Sequence, residues 1–85
     1  MALRKLYGGR IYIPKEIRKQ VGNNSFTIRV DGNRITMDPH GEGERAYIDG
    51  GLIYLPADVR KRVRCSVFNV YVDCGRIVLE PVEVR

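Results

Sequence analysis

The chain repeats itself. Sliding the 85-residue sequence against itself by 42 positions brings Gly8-Gly9 onto Gly50-Gly51, Ile11-Tyr12-Ile13-Pro14 onto Ile53-Tyr54-Leu55-Pro56, and Arg18-Lys19 onto Arg60-Lys61. Farther along, Phe26 meets Phe68, Val30-Asp31 meets Val72-Asp73, Arg34-Ile35 meets Arg76-Ile77 and Pro39 meets Pro81. Residues 6–39 show 14 identities in 34 ungapped positions, where unrelated chains of average composition share about two. A unit of about 40 residues seldom builds a core of its own. The copies must therefore pack on each other, and two copies suit a closed pseudo-twofold better than an open solenoid, which needs about three. The expected organisation is a single domain: copy one over 1–39, a linker over 40–46 and copy two over 47–85. The stretch Pro39-His40-Gly41-Glu42-Gly43-Glu44 is polar and glycine-rich, and six extended residues reach about 20 Å, enough to cross a small domain.

Within each copy the pattern reads strand, turn, strand, short helix, strand, turn, strand. Leu3 to Tyr7 can be extended before the Gly8-Gly9 turn. Arg10 to Ile13 alternates, placing Ile11 and Ile13 on one face and Arg10 and Tyr12 on the other. Pro14 suits the first position of a helix, where its missing N–H costs nothing. Glu16 and Asp58 fall in the first helical turn, where negative charge suits the dipole. Ile13, Ile17 and Val21 form the buried stripe, and Gly22-Asn23 stops the first helix. Arg64-Cys65 stands in that place in copy two and gives no comparable signal. Phe26, Ile28 and Val30 alternate inward, Asp31-Gly32-Asn33 marks a hairpin, and Ile35 and Met37 return inward. Copy two repeats this with Phe68, Val70 and Val72, then Asp73-Cys74-Gly75, then Ile77 and Leu79. The fold class expected is mainly β with short helices.

Charge is uneven. Residues 1–24 carry Arg4, Lys5, Arg10, Lys15, Arg18 and Lys19 against Glu16 alone, which accounts for the whole net charge of +5. A second basic run is Arg60-Lys61-Arg62-Val63-Arg64. Clustered cations on a small domain favour a polyanionic partner, against the blander reading of a solvated face. Cys65 and Cys74 have no metal-ligand spacing and fall far apart on a hairpin arm and its tip, too distant to bridge. His40 reads as a solvated loop histidine. No catalytic set, carboxylate pair or phosphate-cradling loop appears, and Gly8-Gly9 lacks the dinucleotide-binding spacing. The expectation is no enzyme activity and no cofactor or metal. No apolar run approaches the length of a membrane span, and the N-terminus has no apolar signal core, so a cytoplasmic location and no membrane partner are expected.

The stretches Gly9-Arg10-Ile11-Tyr12-Ile13-Pro14-Lys15-Glu16-Ile17-Arg18-Lys19-Gln20-Val21-Gly22 and Val30-Asp31-Gly32-Asn33-Arg34-Ile35 resemble the AbrB family of swapped-hairpin transcription factors. The likeness covers nearly all of copy one and, with departures, copy two. It implies that hairpins from two copies interleave into one β-barrel-like body. Here both copies lie in one chain, so the implied state is a monomeric pseudo-dimer. It also implies double-stranded DNA as partner, held by basic residues on the first strand, at the turn and on the helix. The matching positions are Arg4, Lys5, Arg10, Arg18 and Lys19.

Copy two departs from that pattern. Arg10 aligns with Leu52, and Arg4 and Lys5 align with Ala46 and Tyr47, while Arg18-Lys19 is kept as Arg60-Lys61. Gln20 and Gly22 become Arg62 and Arg64, and Arg45 sits one position before the match to Arg4. The candidate DNA contacts are thus Arg4, Lys5, Arg10, Arg18, Lys19, Arg45, Arg60, Lys61, Arg62 and Arg64. The face is expected to be pseudo-symmetric but unequal, and its target an imperfect palindrome or a non-palindromic site. Most contacts would go to phosphates, with Arg10 and Arg18 the better candidates for base edges.

A DNA-binding transcriptional regulator is the first expectation. An antitoxin-type module is the alternative, weakened because only Pro81-Val82-Glu83-Val84-Arg85 would follow the last strand, too little for a toxin-binding segment. A barrel that has lost DNA binding is a third. Outward Tyr12 and Tyr54 could mark a surface for further homodimerisation, or be ordinary strand-surface aromatics.

Overall fold

The computed structural model describes residues 2–82. Ten elements follow in order: β1 (Leu3–Lys5), β2 (Arg10–Tyr12), α1 (Lys15–Val21), β3 (Ser25–Asp31), β4 (Arg34–Asp38), β5 (Arg45–Asp49), β6 (Leu52–Tyr54), α2 (Ala57–Arg62), β7 (Val67–Asp73) and β8 (Arg76–Pro81). The fold is mainly β: a nearly closed, barrel-like antiparallel sheet of eight strands in the order β1-β7-β8-β4-β3-β5-β6-β2. Strand β5 begins at Arg45, so the last two residues of the segment expected as linker belong to the sheet. Strand β8 runs through Pro81, and residues 83–85 of the expected C-terminal tail lie outside the described residues.

Pairing crosses between the copies. Strand β1 of copy one pairs with β7 of copy two, Leu3, Arg4 and Lys5 opposite Asn69, Phe68 and Val67. Its counterpart β5 pairs with β3, Arg45, Ala46 and Tyr47 opposite Thr27, Phe26 and Ser25. Adding 42 to copy-one numbers, and subtracting it from copy-two numbers, turns one ladder into the other. The remaining cross-copy ladders map onto themselves: β2–β6 about the pair Ile11–Ile53, and β4–β8 about the pair Thr36–Val78. Read as a ring, the strand order is likewise unchanged by exchanging the copies. The seam between β1 and β2 is held by the Tyr7–Arg10 bridge, with backbone bonds of 2.8 and 2.9 Å.

The interior follows the repeat. Ile11, Ile13, Ile17, Phe26, Ile35 and Met37 are buried, and so are their counterparts Ile53, Leu55, Val59, Phe68, Ile77 and Leu79. The alternation expected for β2 holds: Ile11 is buried while Arg10 and Tyr12 face out. Ile28, Val30 and Val72 point toward this core but are only half-buried. Pro14 stands just before the helix, with ψ of 146°, rather than inside its first turn. Its carbonyl still accepts the Arg18 N–H at 3.0 Å, so the proline helps start the helix without occupying it. Gly22, with φ of 75°, closes α1 in the left-handed conformation. Val63 is extended at the end of α2, because no residue suited to a left-handed cap stands there.

Two exchange-related ion pairs brace the β4–β8 ladder. Arg34 donates to Glu80 through Nε at 2.5 Å and Nη2 at 2.9 Å, and Arg76 Nε donates to Asp38 at 3.3 Å. The Arg34 hydrogen bonds hold the Glu80 carboxyl below its ordinary range. The backbone N–H of His40, then Arg76, does the same for Asp38.

The hairpin tips differ. Gly32 has φ of 65°, whereas the second tip places both Cys74 (51°) and Gly75 (75°) at positive φ. Two left-handed central residues make a type I′ turn, which prefers Asn-Gly; cysteine there carries a Cβ clash of about 1–2 kcal/mol. Cys74→Asn should therefore raise stability by about 0.5–1 kcal/mol in a urea titration. No gain would mean that the turn is not strained.

Candidate nucleic-acid interface

The outward face of the β2–β6 ladder collects cations and aromatics. Register puts Arg10 opposite Tyr54 and Tyr12 opposite Leu52, and all four side chains are exposed because their neighbours Ile11 and Ile53 fill the core. Over this face lie the helix arginines. The Arg18 guanidinium carbon is 5.7 Å from the Tyr12 ring centroid, and that of Arg60 is 5.0 Å from Tyr54. Arg4 reaches the same Tyr12 ring at 5.4 Å from β1. Lys5 Nζ lies 5.0 Å from the Tyr7 ring, and Lys5, Tyr7, Arg10, Tyr12 and Leu52 line one shallow hollow. Arg4, Lys5, Arg10, Arg18 and Arg60 thus share one face. Leu3, Tyr7, Tyr12, Tyr47, Leu52 and Tyr54 are the exposed large apolar side chains among the described residues, and every one lies on β1, β2, β5, β6 or the adjoining turn.

Arg18 and Arg60 also build the fold. Arg18 Nε donates to the Ile13 carbonyl at 2.9 Å and Nη2 to the Tyr12 hydroxyl at 3.3 Å; Arg60 Nε donates to the Leu55 carbonyl at 3.1 Å. Each arginine thus ties its helix to the strand preceding it. The Gly-Gly turns make room for these side chains. A Cβ on Gly9, where φ is +80°, would stand 3.0 Å from Arg60 Cδ, and one on Gly51, at +81°, would stand 2.5 Å from Tyr12 Cε1. The same turns accept cross-copy bonds, Ile13 N–H to the Gly51 carbonyl and Leu55 N–H to the Gly9 carbonyl, both 2.8 Å. Arg18→Ala should lower stability by about 1–2 kcal/mol, since a charge-assisted bond to a half-buried carbonyl and an aromatic contact are lost together. Lysine should restore little of it, having no planar fork. Urea denaturation measures this; an unchanged midpoint would make Arg18 a surface cation only.

Other candidates lie elsewhere. Arg45, expected at the DNA face, is a clamp. It donates to Ser25 Oγ at 3.1 Å, the Ser25 carbonyl at 2.9 Å, the Pro39 carbonyl at 2.7 Å and the Gly41 carbonyl at 3.2 Å. Those bonds engage four of its five N–H donors and fasten the connecting segment to β3. Arg62 lines a groove with Arg29, Arg34 and Arg76, where Asp31, Asp38 and Glu42 are interspersed. Arg64 sits beside the β3–β4 tip, its backbone N–H donating to Asn33 Oδ1 at 3.1 Å. Neither joins the five cations on the β2–β6 face. Lys19 and Lys61 remain exposed on the helices.

Tyr12 and Tyr54 gather the arginines of this face, a role that alternation along the strands does not reveal. A signal was present: Tyr12/Tyr54 and Arg18/Arg60 are identical in both copies, whereas Arg4, Lys5 and Arg10 are not. Among the described residues no helix is long and apolar enough to cross a membrane, and no group of three potential ligands could hold a metal ion. Comparisons with protein-family models, curated proteins and solved structures gave no match.

Proposed function

We propose that this chain is a covalent pseudo-dimer of the AbrB-like swapped-hairpin type and that it binds double-stranded DNA as a transcriptional regulator through the β2–β6 face. The observation that carries this reading is the convergence of Arg4, Lys5, Arg10, Arg18 and Arg60 around Tyr7, Tyr12 and Tyr54. The pseudo-dimer is supported by the exchange of β1 and β5 between copies in matching register.

Duplex suits the face better than a single strand. Single-strand binders offer open aromatic rings on which bases stack. Here the Tyr12 ring already carries two guanidinium groups and the Tyr54 ring one. What the face presents outward is positive charge for phosphates and arginine forks for base edges.

Phosphate contact by four of these cations, with Arg10 at a base edge, predicts a log–log dependence of affinity on salt with a slope of about −3.6. Titrating a random duplex with the full chain at several salt concentrations tests it. Affinity that does not change as salt rises would overturn the reading.

A further inference from the structure

The repeat makes two quasi-equivalent stations on this face, and they differ most directly where Leu52 and Arg10 stand. At the first, Tyr12 stands opposite Leu52 and beneath Arg18. At the second, Tyr54 stands opposite Arg10 and beneath Arg60. Exchange of the copies carries each residue of one station onto its counterpart in the other, so Leu52 and Arg10 occupy the same place in unlike chemistry.

Leu52 is 38% exposed, and Arg10 has no side-chain hydrogen bond or ion pair among the described residues. Both side chains point away from the core, and the barrel closes here through backbone bonds alone. The stations also differ at the edge. Arg4 overhangs Tyr12, whereas the corresponding residue for Tyr54 is Ala46. Each station therefore holds two arginines, but they approach from different sides: Arg4 with Arg18, and Arg10 with Arg60.

We infer that Arg10 and Leu52 give the protein polarity on its target: Arg10 reads a guanine in one half-site, and Leu52 packs on a thymine methyl at the matching position of the other. A guanidinium can fork onto the O6 and N7 acceptors of guanine, while an apolar side chain in the major groove meets the C5-methyl of thymine. Diagonal neighbours on an antiparallel pair lie about 7–8 Å apart, so the two readings adjoin the centre of the site. The target is thus non-palindromic at its centre, and the chain binds it in one orientation. A dimer of identical chains could not do this; a fused pair can, because its copies vary independently.

This inference rests on the duplex-binding reading, and one experiment separates the two. Full-length wild type, Leu52→Arg and Arg10→Leu are each used to select from a randomised duplex library at moderate salt. Both substitutions place at an exposed site the residue its counterpart already carries, and circular dichroism checks the fold. Wild type should enrich unlike central half-sites, with about tenfold preference for guanine on one side. Leu52→Arg should enrich an inverted repeat with guanine on both sides, and Arg10→Leu should lose the guanine preference. If wild type binds duplex but enriches an inverted repeat or no base, or if both variants select as wild type does, the polarity assignment is wrong while DNA binding stands. If wild type retains no duplex at all, the functional reading itself fails and this inference with it.

Discussion

Phe26→Ala is expected to remove about 3–5 kcal/mol of stability, a large share of the total for a domain of this size. Phe26 and Phe68 are the largest of the fully buried side chains, and both have no exposed surface. Each sits where a strand from the other copy joins: Phe26 pairs with Ala46 of β5, and Phe68 with Arg4 of β1. Removing either ring leaves a cavity beneath a cross-copy ladder, so neither copy can relax without disturbing the other. Phe68→Ala should match Phe26→Ala within the usual scatter, and the double variant should be unfolded. Urea midpoints measure all three. A loss below about 1 kcal/mol in either single variant would mean that the copies do not share one interior.

The Arg4→Ala/Lys5→Ala double variant should lower duplex affinity about fiftyfold at 0.1 M salt and reduce the magnitude of the salt slope by about 2. The figure follows from counterion release: each phosphate contact contributes close to one decade at that salt. These residues are chosen because the fold does not lean on them. Arg4 has one long hydrogen bond, 3.5 Å to the Leu3 carbonyl, and both are exposed. Arg18 and Arg60 are poorer probes, since their removal also loosens the helices. Stability within about 0.5 kcal/mol of wild type is expected for the double variant. Unchanged affinity and slope would contradict the proposed contact through the β2–β6 face.

Most of the fold was legible because the repeat does two things at once. It locates the apolar positions twice, so Ile11/Ile53, Phe26/Phe68 and Ile35/Ile77 support one another as core. It also demands a partner for each half, which the exchanged strands β1 and β5 provide. The site was legible in part. Basic residues near the N-terminus and on the helices could be counted, but their partners could not. Arg45 reads as one more cation in sequence; the carbonyls it clamps come together only when β5 lies beside β3. Arg34 and Arg76 likewise find Glu80 and Asp38 only across the β4–β8 ladder. Comparing the copies partly overcomes this. Residues identical in both, such as Tyr12/Tyr54 and Arg18/Arg60, hold the geometry, and exposed positions that differ, such as Arg10/Leu52, are the ones free to specialise.

Mapping amide perturbations of the isotope-labelled full chain on adding duplex DNA bears most directly on the whole proposal. Saturable shifts should concentrate at Arg4, Arg10, Tyr12, Leu52 and Tyr54, with the β3–β4 and β7–β8 tips unmoved. Shifts confined to Asp31–Arg34 and Asp73–Arg76, or none at all, would contradict it.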